Sequence, residues 1–156
     1  MAHPPSVEIE FGADHQVLRR ALQAVVEVLP RDRSQAQCLL ERLGRDLRRH
    51  MQAEEEALFA SFERHTGLRE EGPTLGLRRS HAQLGQRLDE LAAAFAVPLE
   101  VEALARLLAQ FTALLENHCS DEEAVLYPSC DRLLLPSELA TASALLRQLK
   151  ATREKP

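Results

Sequence analysis

HMQAEEEALF, residues 50–59, and HCSDEEAVLY, residues 118–127, decide the fold, because the second segment repeats the first 68 positions later. In each segment a histidine is followed four residues later by a glutamate. The residues in step with this pair are otherwise apolar: Leu43, Leu47 and Leu58 in the first copy, Phe111, Leu115 and Leu126 in the second. Steps of three and four residues place such a set on one face of a helix. The two segments therefore predict two helices with matching faces.

A second repeat lies upstream of each segment, at a spacing of 66 residues. Its members are apolar apart from one histidine in each copy: His15, Leu18, Leu22, Val25 and Leu29, then His81, Leu84, Leu88, Leu91 and Phe95. The chain thus predicts a helical hairpin followed by a copy of that hairpin. Two such hairpins pack as an up-down four-helix bundle with approximate two-fold symmetry, which is an all-α fold.

Prolines, glycines and capping residues divide the chain into five predicted helices. Asp14 is predicted to open helix A, Pro30 to close it, and Pro128 to stop or kink helix D. Helices A to D and an additional C-terminal helix are predicted over residues 13–29, 34–65, 74–96, 99–127 and 137–152. The last helix has an apolar stripe of its own, which predicts packing on the bundle or, in a homo-oligomer, on another subunit.

The composition fits a single globular domain over residues 1–156, with 45% hydrophobic and 28% charged residues. A net charge of −5 provides no basic surface for nucleic acid. No apolar run approaches membrane-spanning length, and the first residues lack the layout of a signal peptide. The three cysteines form no CxxC pair. We expect a soluble cytoplasmic protein with reduced thiols.

Six polar residues interrupt the apolar stripes and are candidate metal ligands: His15, His50, Glu54, His81, His118 and Glu122. Carboxylates in an apolar interior are costly unless they are paired or coordinated, and these faces carry no Lys or Arg. Bound cations are the expected source of positive charge. In each predicted hairpin the two histidines are equally far from the turn, so all four reach one level of the bundle.

A single histidine on an apolar face is usually a hydrogen-bonded core residue, but core packing does not require four of them at one level. His3, near the terminus, and His65, at the end of helix B, fall outside the pattern and are not expected to be ligands.

The pattern H…HxxxE…H…HxxxE over about residues 11–130 resembles the hemerythrin-like, or HHE cation-binding, family. The resemblance implies two irons joined by two carboxylates and an oxo or hydroxo group. His15 and His50 would hold one iron, His81 and His118 the other, and Glu54 and Glu122 would bridge them. Ferritin-like bundles use more glutamates, with Glu before His. A nitrogen-rich site with bridging carboxylates suits iron, with manganese or zinc as substitutes.

One position departs from the oxygen-carrying hemerythrins that this chain resembles. They have a further histidine one turn before the third-helix ligand, where this sequence has Leu77; the same register on helix A is Phe11. The iron held by His81 and His118 is therefore expected to lack a ligand, leaving its place to water, Glu55 or Glu123. An open place favours reaction with a small molecule, or capture of nitric oxide or peroxide, over reversible oxygen carriage.

Four neighbours of the predicted ligands are interpreted more simply. Cys119 is expected to face another helix or solvent without a redox role. Tyr127 is five residues after Glu122, which puts it off the ligand face of a regular helix and predicts a packing role. Asp121 and Glu123 are either partners of histidine N–H groups or surface residues.

The sequence thus predicts a di-iron protein that binds oxygen, nitric oxide or a related small oxidant, with no catalytic residue assigned. Two alternatives stay open. One is a di-iron oxidoreductase that removes peroxide or nitric oxide. The other is an iron storage or sensing module, whose metal content changes its fold or its contacts with a partner.

Overall fold

The computed structural model describes residues 4–152, and over this range the backbone forms five helices and no strand. Helix α1 spans Val7–Val28, α3 spans Pro73–Phe95 and α5 spans Pro136–Ala151. Helix α2, residues 33–66, is built from Arg33–Ala53, Glu54–Phe59 and Ala60–Thr66. Helix α4, residues 101–133, is built from Val101–Asp121, Glu122–Leu126 and Tyr127–Leu133. The predicted helical bundle with an additional C-terminal helix is confirmed.

Helix α1 begins at Val7, six residues before the predicted start, so the prediction that Asp14 opens it is wrong. The cause is a contact from the far end of the chain. The carboxylate of Asp131 accepts hydrogen bonds from the Ser6 hydroxyl at 2.7 Å and from the backbone N–H of Val7 at 2.7 Å and Glu8 at 3.2 Å. These bonds satisfy N–H groups that have no partner within the helix.

The middle pieces of α2 and α4 are π-helical, and each begins at a glutamate of the repeat, Glu54 or Glu122. A π-helical segment has wider turns than an α-helix, and such segments are frequent at functional sites. Helix α4 also continues past its predicted end, through Pro128 to Leu133. The proline is tolerated because it follows a stretch where the regular hydrogen-bond ladder is already interrupted.

Two apolar clusters fill the bundle, one on each side of the predicted ligands. The first contains the part of each repeat nearer the hairpin turns, including Leu22, Leu43 and Leu108. The second contains Phe11, Leu58 and Leu126, together with residues of α5. The level of the predicted ligands therefore lies between two apolar layers.

Helix α5 packs on α1 and α2 of its own bundle and buries Leu139, Ala142 and Leu146. The second cluster is thereby covered by the same chain. Within residues 4–152 no helix is both long and apolar enough to cross a membrane.

Candidate metal centre

The six predicted ligands meet in the middle of the bundle, and each is at most 4% exposed. They form two overlapping groups whose ligand atoms all lie within 4.8 Å of one another. We call the first group, His15 and His50 with both glutamates, position 1. The second group, His81 and His118 with the same glutamates, is position 2. The glutamates are Glu54 and Glu122, and they belong to both positions.

Each shared glutamate presents one oxygen to each position. Oε1 of Glu54 lies 3.1 Å from His50 Nε2, and its Oε2 lies 3.2 Å from His81 Nε2. Oε2 of Glu122 lies 3.1 Å from His15 Nε2, and its Oε1 lies 3.2 Å from His118 Nε2. Each carboxylate therefore has one oxygen beside each pair of histidines.

Several of these buried atoms approach one another without forming a hydrogen bond. Among the described residues, the buried side-chain nitrogen and oxygen atoms without a hydrogen-bond partner are Glu54 Oε2, His81 Nε2, both ring nitrogens of His118 and Glu122 Oε1. A metal ion about 2.1 Å from each of two ligand atoms at right angles holds those atoms about 3 Å apart. The unsatisfied atoms and their spacing therefore fit metal coordination.

Three of the four histidines are held from behind by a carboxylate. Nδ1 of His15 donates to Glu123 at 2.8 Å, and Nδ1 of His81 donates to Glu55 at 2.7 Å. Such partners fix the tautomer so that Nε2 points at the metal. Glu55 and Glu123 thus bond the histidine Nδ1 atoms, whereas Asp121 is exposed.

The third carboxylate is Asp14, which accepts from His50 Nδ1 at 2.7 Å and is fully buried. It also receives the ammonium group of Lys150 from helix α5 at 2.9 Å. Sequence reasoning missed this chain of contacts, because Asp14 was assigned to the start of a helix. Nδ1 of His118 has no such partner within residues 4–152.

The centre attracts positive charge strongly. Burial lowers the pKa of His50, but the carboxylates of Glu54 and Asp14 outweigh burial and raise it to about 10. Burial opposes protonation of His81 as well, and the carboxylates of Glu122, Glu54 and Glu55 raise its pKa to about 11. Burial raises the pKa of Glu54, yet His50 and His81 hold it well below the usual value. Metal ions bound here would replace those imidazole protons.

The prediction that Tyr127 lies off the ligand face is wrong. Its hydroxyl donates a very short hydrogen bond to Glu54 and lies 2.9 Å from His15 Nε2 and 3.4 Å from Glu122 Oε2. The reason is the π-helical segment that starts at Glu122, since its wider turn brings the fifth following residue round to the same face. Burial, Glu54 and Glu122 raise the pKa of Tyr127 well above its usual value, so the phenol keeps its proton.

Aromatic rings wall the centre on both sides. Tyr127 stacks on His15 with ring centroids 5.2 Å apart, and Phe59 stacks on His81 at the same separation. Phe11 and Leu77 are both buried, and Phe11 contacts the His50 ring edge-on at 5.8 Å. The sequence carried a signal for this pair of walls, since Tyr127 and Phe59 occupy the same place in the repeat.

Cys119 and His65 lie outside the centre. Cys119 is buried in the first apolar cluster, where burial and the nearby Glu122 raise the pKa of its thiol, which disfavours the thiolate form. Nε2 of His65 pairs with Glu138 at 2.6 Å near the surface. His3 lies outside the described residues.

Fold and site together define a helical-bundle protein whose core is suited to binding metal cations. The family model of the hemerythrin HHE cation binding domain matches residues 10–130, and the chain belongs to this family. The matched segment ends before α5, the helix that supplies Lys150 to Asp14. No curated protein and no solved structure matches the chain.

Proposed function

We propose that the chain holds two iron ions, one at each position, and binds oxygen, nitric oxide or a related small oxidant there. One observation carries the proposal: each buried glutamate directs one oxygen to each pair of histidines. His15, His50, His81 and His118 would be the terminal ligands, with Glu54 and Glu122 as bridges. The family resemblance adds an oxo or hydroxo group as a further link.

The donor set supports iron. Four imidazoles with two carboxylates are a mixed nitrogen and oxygen set, which iron accepts readily, and which manganese or zinc can also occupy. Iron would supply electrons to a bound oxidant and a coordination place for it. The buried position of the centre, between two apolar clusters, excludes bulk water from that chemistry.

The residues behind the ligands hold the imidazoles in one orientation, so that ligand binding need not reorganise them. Glu55 and Glu123 act on His81 and His15, and each carboxylate is in turn near an arginine. Arg19 contacts Glu123 at 2.9 Å, and Arg78 lies 3.7 Å from Glu55. Loss of such partners commonly costs about 10-fold to 100-fold in metal affinity.

A second function, reductive removal of peroxide or nitric oxide, is favoured by the position of Tyr127. Its protonated hydroxyl lies within the centre, where it could donate a proton to a small bound oxidant. Repeated consumption of hydrogen peroxide or nitric oxide with an added reductant would identify this activity. Binding of one equivalent without turnover would leave the binding function alone.

Anaerobic titration of the metal-free chain with Fe(II), followed by elemental analysis and absorption spectroscopy after oxidation, tests the proposal. We expect two irons per chain and near-ultraviolet charge-transfer absorption. Glu122→Ala should lose this capacity, and His65→Ala, a histidine with a carboxylate partner away from the centre, should keep it. One iron or none in the native chain, or equal iron in both variants, would refute the dinuclear assignment.

A further inference from the structure

We propose that metal ions and small ligands reach the centre from one side only, at position 2, through a hollow beside Gly85. This inference rests on the proposed dinuclear centre and adds to it where the exchangeable coordination place lies. Four differences between the two hairpins support it, and all of them concern this chain's own side chains at equivalent places of the repeat.

The first difference lies inside the centre. At position 1 the Tyr127 hydroxyl is 2.9 Å from His15 Nε2 and 3.4 Å from His50 Nε2, so it fills the space next to both histidines. The equivalent residue at position 2 is Phe59, whose ring stacks on His81 and which has no hydroxyl. A small ligand therefore meets a hydroxyl group at position 1 and an apolar ring at position 2.

The second difference lies at the surface above the histidines. Above position 1, Arg19 spans α1 and α4 through hydrogen bonds to Glu116 at 2.8 Å and to Glu123 at 2.9 Å. The residue equivalent to Arg19 in the second hairpin is Gly85, and Arg48 stands in the place equivalent to Glu116. Above position 2, Arg48 joins α2 to α3 through hydrogen bonds to Asp89 at 2.7 Å and to the Gly85 carbonyl at 3.5 Å. The bridge above position 1 includes Glu123, the carboxylate that bonds His15, whereas these two bonds above position 2 do not include Glu55, the carboxylate that bonds His81.

The third difference is the space that results. A hollow of about 540 Å³ opens between α2 and α3, and its lining includes Gly85, Glu55, Arg78 and the ligand His81. Glu55 is 38% exposed and bonds His81 Nδ1, just as Glu123, which is 36% exposed, bonds His15 Nδ1 on the other side. The difference is that His81 itself belongs to the lining of this hollow.

The fourth difference concerns a hollow of about 390 Å³ on the opposite side, next to Gly12. Its lining includes Tyr127 and Glu123, so it ends on the residues that shield position 1. In the second hairpin the residue equivalent to Gly12 is Arg78, whose guanidinium lies 5.3 Å from the centre of the Phe59 ring. Each side of the bundle thus has a hollow beside one glycine and an arginine at the other place. Of the two hollows, the one beside Gly85 has a ligand histidine, His81, in its lining.

The test fills each hollow with the same side chain. A Cβ atom at Gly85 would meet the flexible end of Arg48 at 3.2 Å, and a Cβ atom at Gly12 would meet nothing within 4 Å. Both sites are helical, and Leu is a better helix former than Gly, so both variants should fold. Gly85→Leu fills the proposed route, and Gly12→Leu is its matched control.

Stopped-flow uptake of Co(II) by the metal-free chain, followed by visible absorption, gives a rate that does not depend on any catalytic activity. We expect Gly85→Leu to slow uptake about tenfold or more, because a close-packed wall then admits the ion only through transient opening. Gly12→Leu should match the native rate. Equal rates in all three proteins, or a slower rate in Gly12→Leu alone, would overturn the proposed route.

Azide binding to the iron-loaded chain tests which position accepts a ligand. Phe59→Tyr, which places a hydroxyl at position 2, should weaken azide binding about tenfold or more, as displacing a group already in place lowers affinity. His65→Ala, which changes a histidine away from the centre, should not weaken it. Unchanged azide binding in Phe59→Tyr would contradict the assignment of the ligand to position 2. If the native chain fails to take up two metals, the dinuclear proposal itself fails; if it takes up two and the variants behave alike, only the route is refuted.

Discussion

In the first hairpin His50 is held by the buried carboxylate of Asp14, which is in turn held by Lys150 of helix α5. In the second hairpin His118 occupies the equivalent place, and Ser80 stands where Asp14 would be. Yet the ligands themselves, and the carboxylates Glu55 and Glu123, match in type and position between the hairpins. The repeat is therefore retained in the six predicted ligands and in Glu55 and Glu123. It has diverged at Tyr127, which is equivalent to Phe59, and at Asp14, which is equivalent to Ser80. Such differences can make the two halves of the centre unequal without changing a predicted ligand.

The largest effect is expected from removing Glu54 or Glu122, the two glutamates that the hairpins share. Glu54→Ala or Glu122→Ala should empty both positions, because each glutamate serves both. His118→Ala should instead spare position 1, and His15→Ala should spare position 2. The loss of affinity in the glutamate variants should exceed the roughly 100-fold that follows from losing an outer partner. Metal content per chain after dialysis measures this. Retention of one metal in a glutamate variant would show that the bridge is not shared.

The next largest loss of metal affinity is expected from changing the residues that hold a ligand histidine in place. Asp14→Asn and Lys150→Met should weaken position 1 by about 10-fold to 100-fold, because His50 loses its fixed orientation or the charge that holds it. Titration calorimetry with Zn(II) should then show one weakened and one unchanged site. Arg147→Ala, on the same helix and 3.7 Å from Glu10, is the control for general loosening of α5. Ser80→Ala should leave both sites as they are.

The metal-free chain should respond to pH in a way that the loaded chain does not. The pKa values of His50 and His81 are raised from 6.5 to about 10 and about 11, so their protonation stabilises the fold fully below about pH 6.5. That stabilisation is lost as pH rises through about 10, where the buried carboxylates lose their positive neighbours. The Tm of the chelated chain should fall by several degrees over this window. A metal-loaded chain whose Tm falls in parallel would contradict the explanation.

The smallest effect on stability and metal content is expected at His65, which belongs to neither group of predicted ligands. His65→Ala removes a contact with Glu138 at 2.6 Å near the surface, and such pairs contribute about 0–1 kcal/mol. Chemical denaturation should show a change within that range, and metal content should be unchanged. A loss of metal in this variant would mean that α5, which carries Glu138, is coupled to the centre more tightly than Lys150 alone explains.

The residues that face the inside of the bundle could be predicted from the sequence, because helix geometry depends only on local spacing. A residue every three or four positions lies on one face whatever else the chain does, so the two repeats identified all six residues that meet in the centre. Glu123 was also recognised as a candidate partner of a histidine N–H, which the structure bears out. Burial of charge supplied the rest of the argument, because carboxylates in an apolar stripe need a cation.

By itself, the sequence determined the four-helix bundle, the convergence of His15, His50, His81 and His118, and the two glutamates that join them. Only the tertiary structure decided that Tyr127 enters the centre, that Asp131 starts α1, and that Lys150 secures Asp14. The physical reason is the sequence separation over which each kind of interaction acts. Periodicity acts over a few residues, whereas these contacts join residues more than 70 positions apart in the chain or depend on a π-helical turn whose occurrence no residue spacing announces.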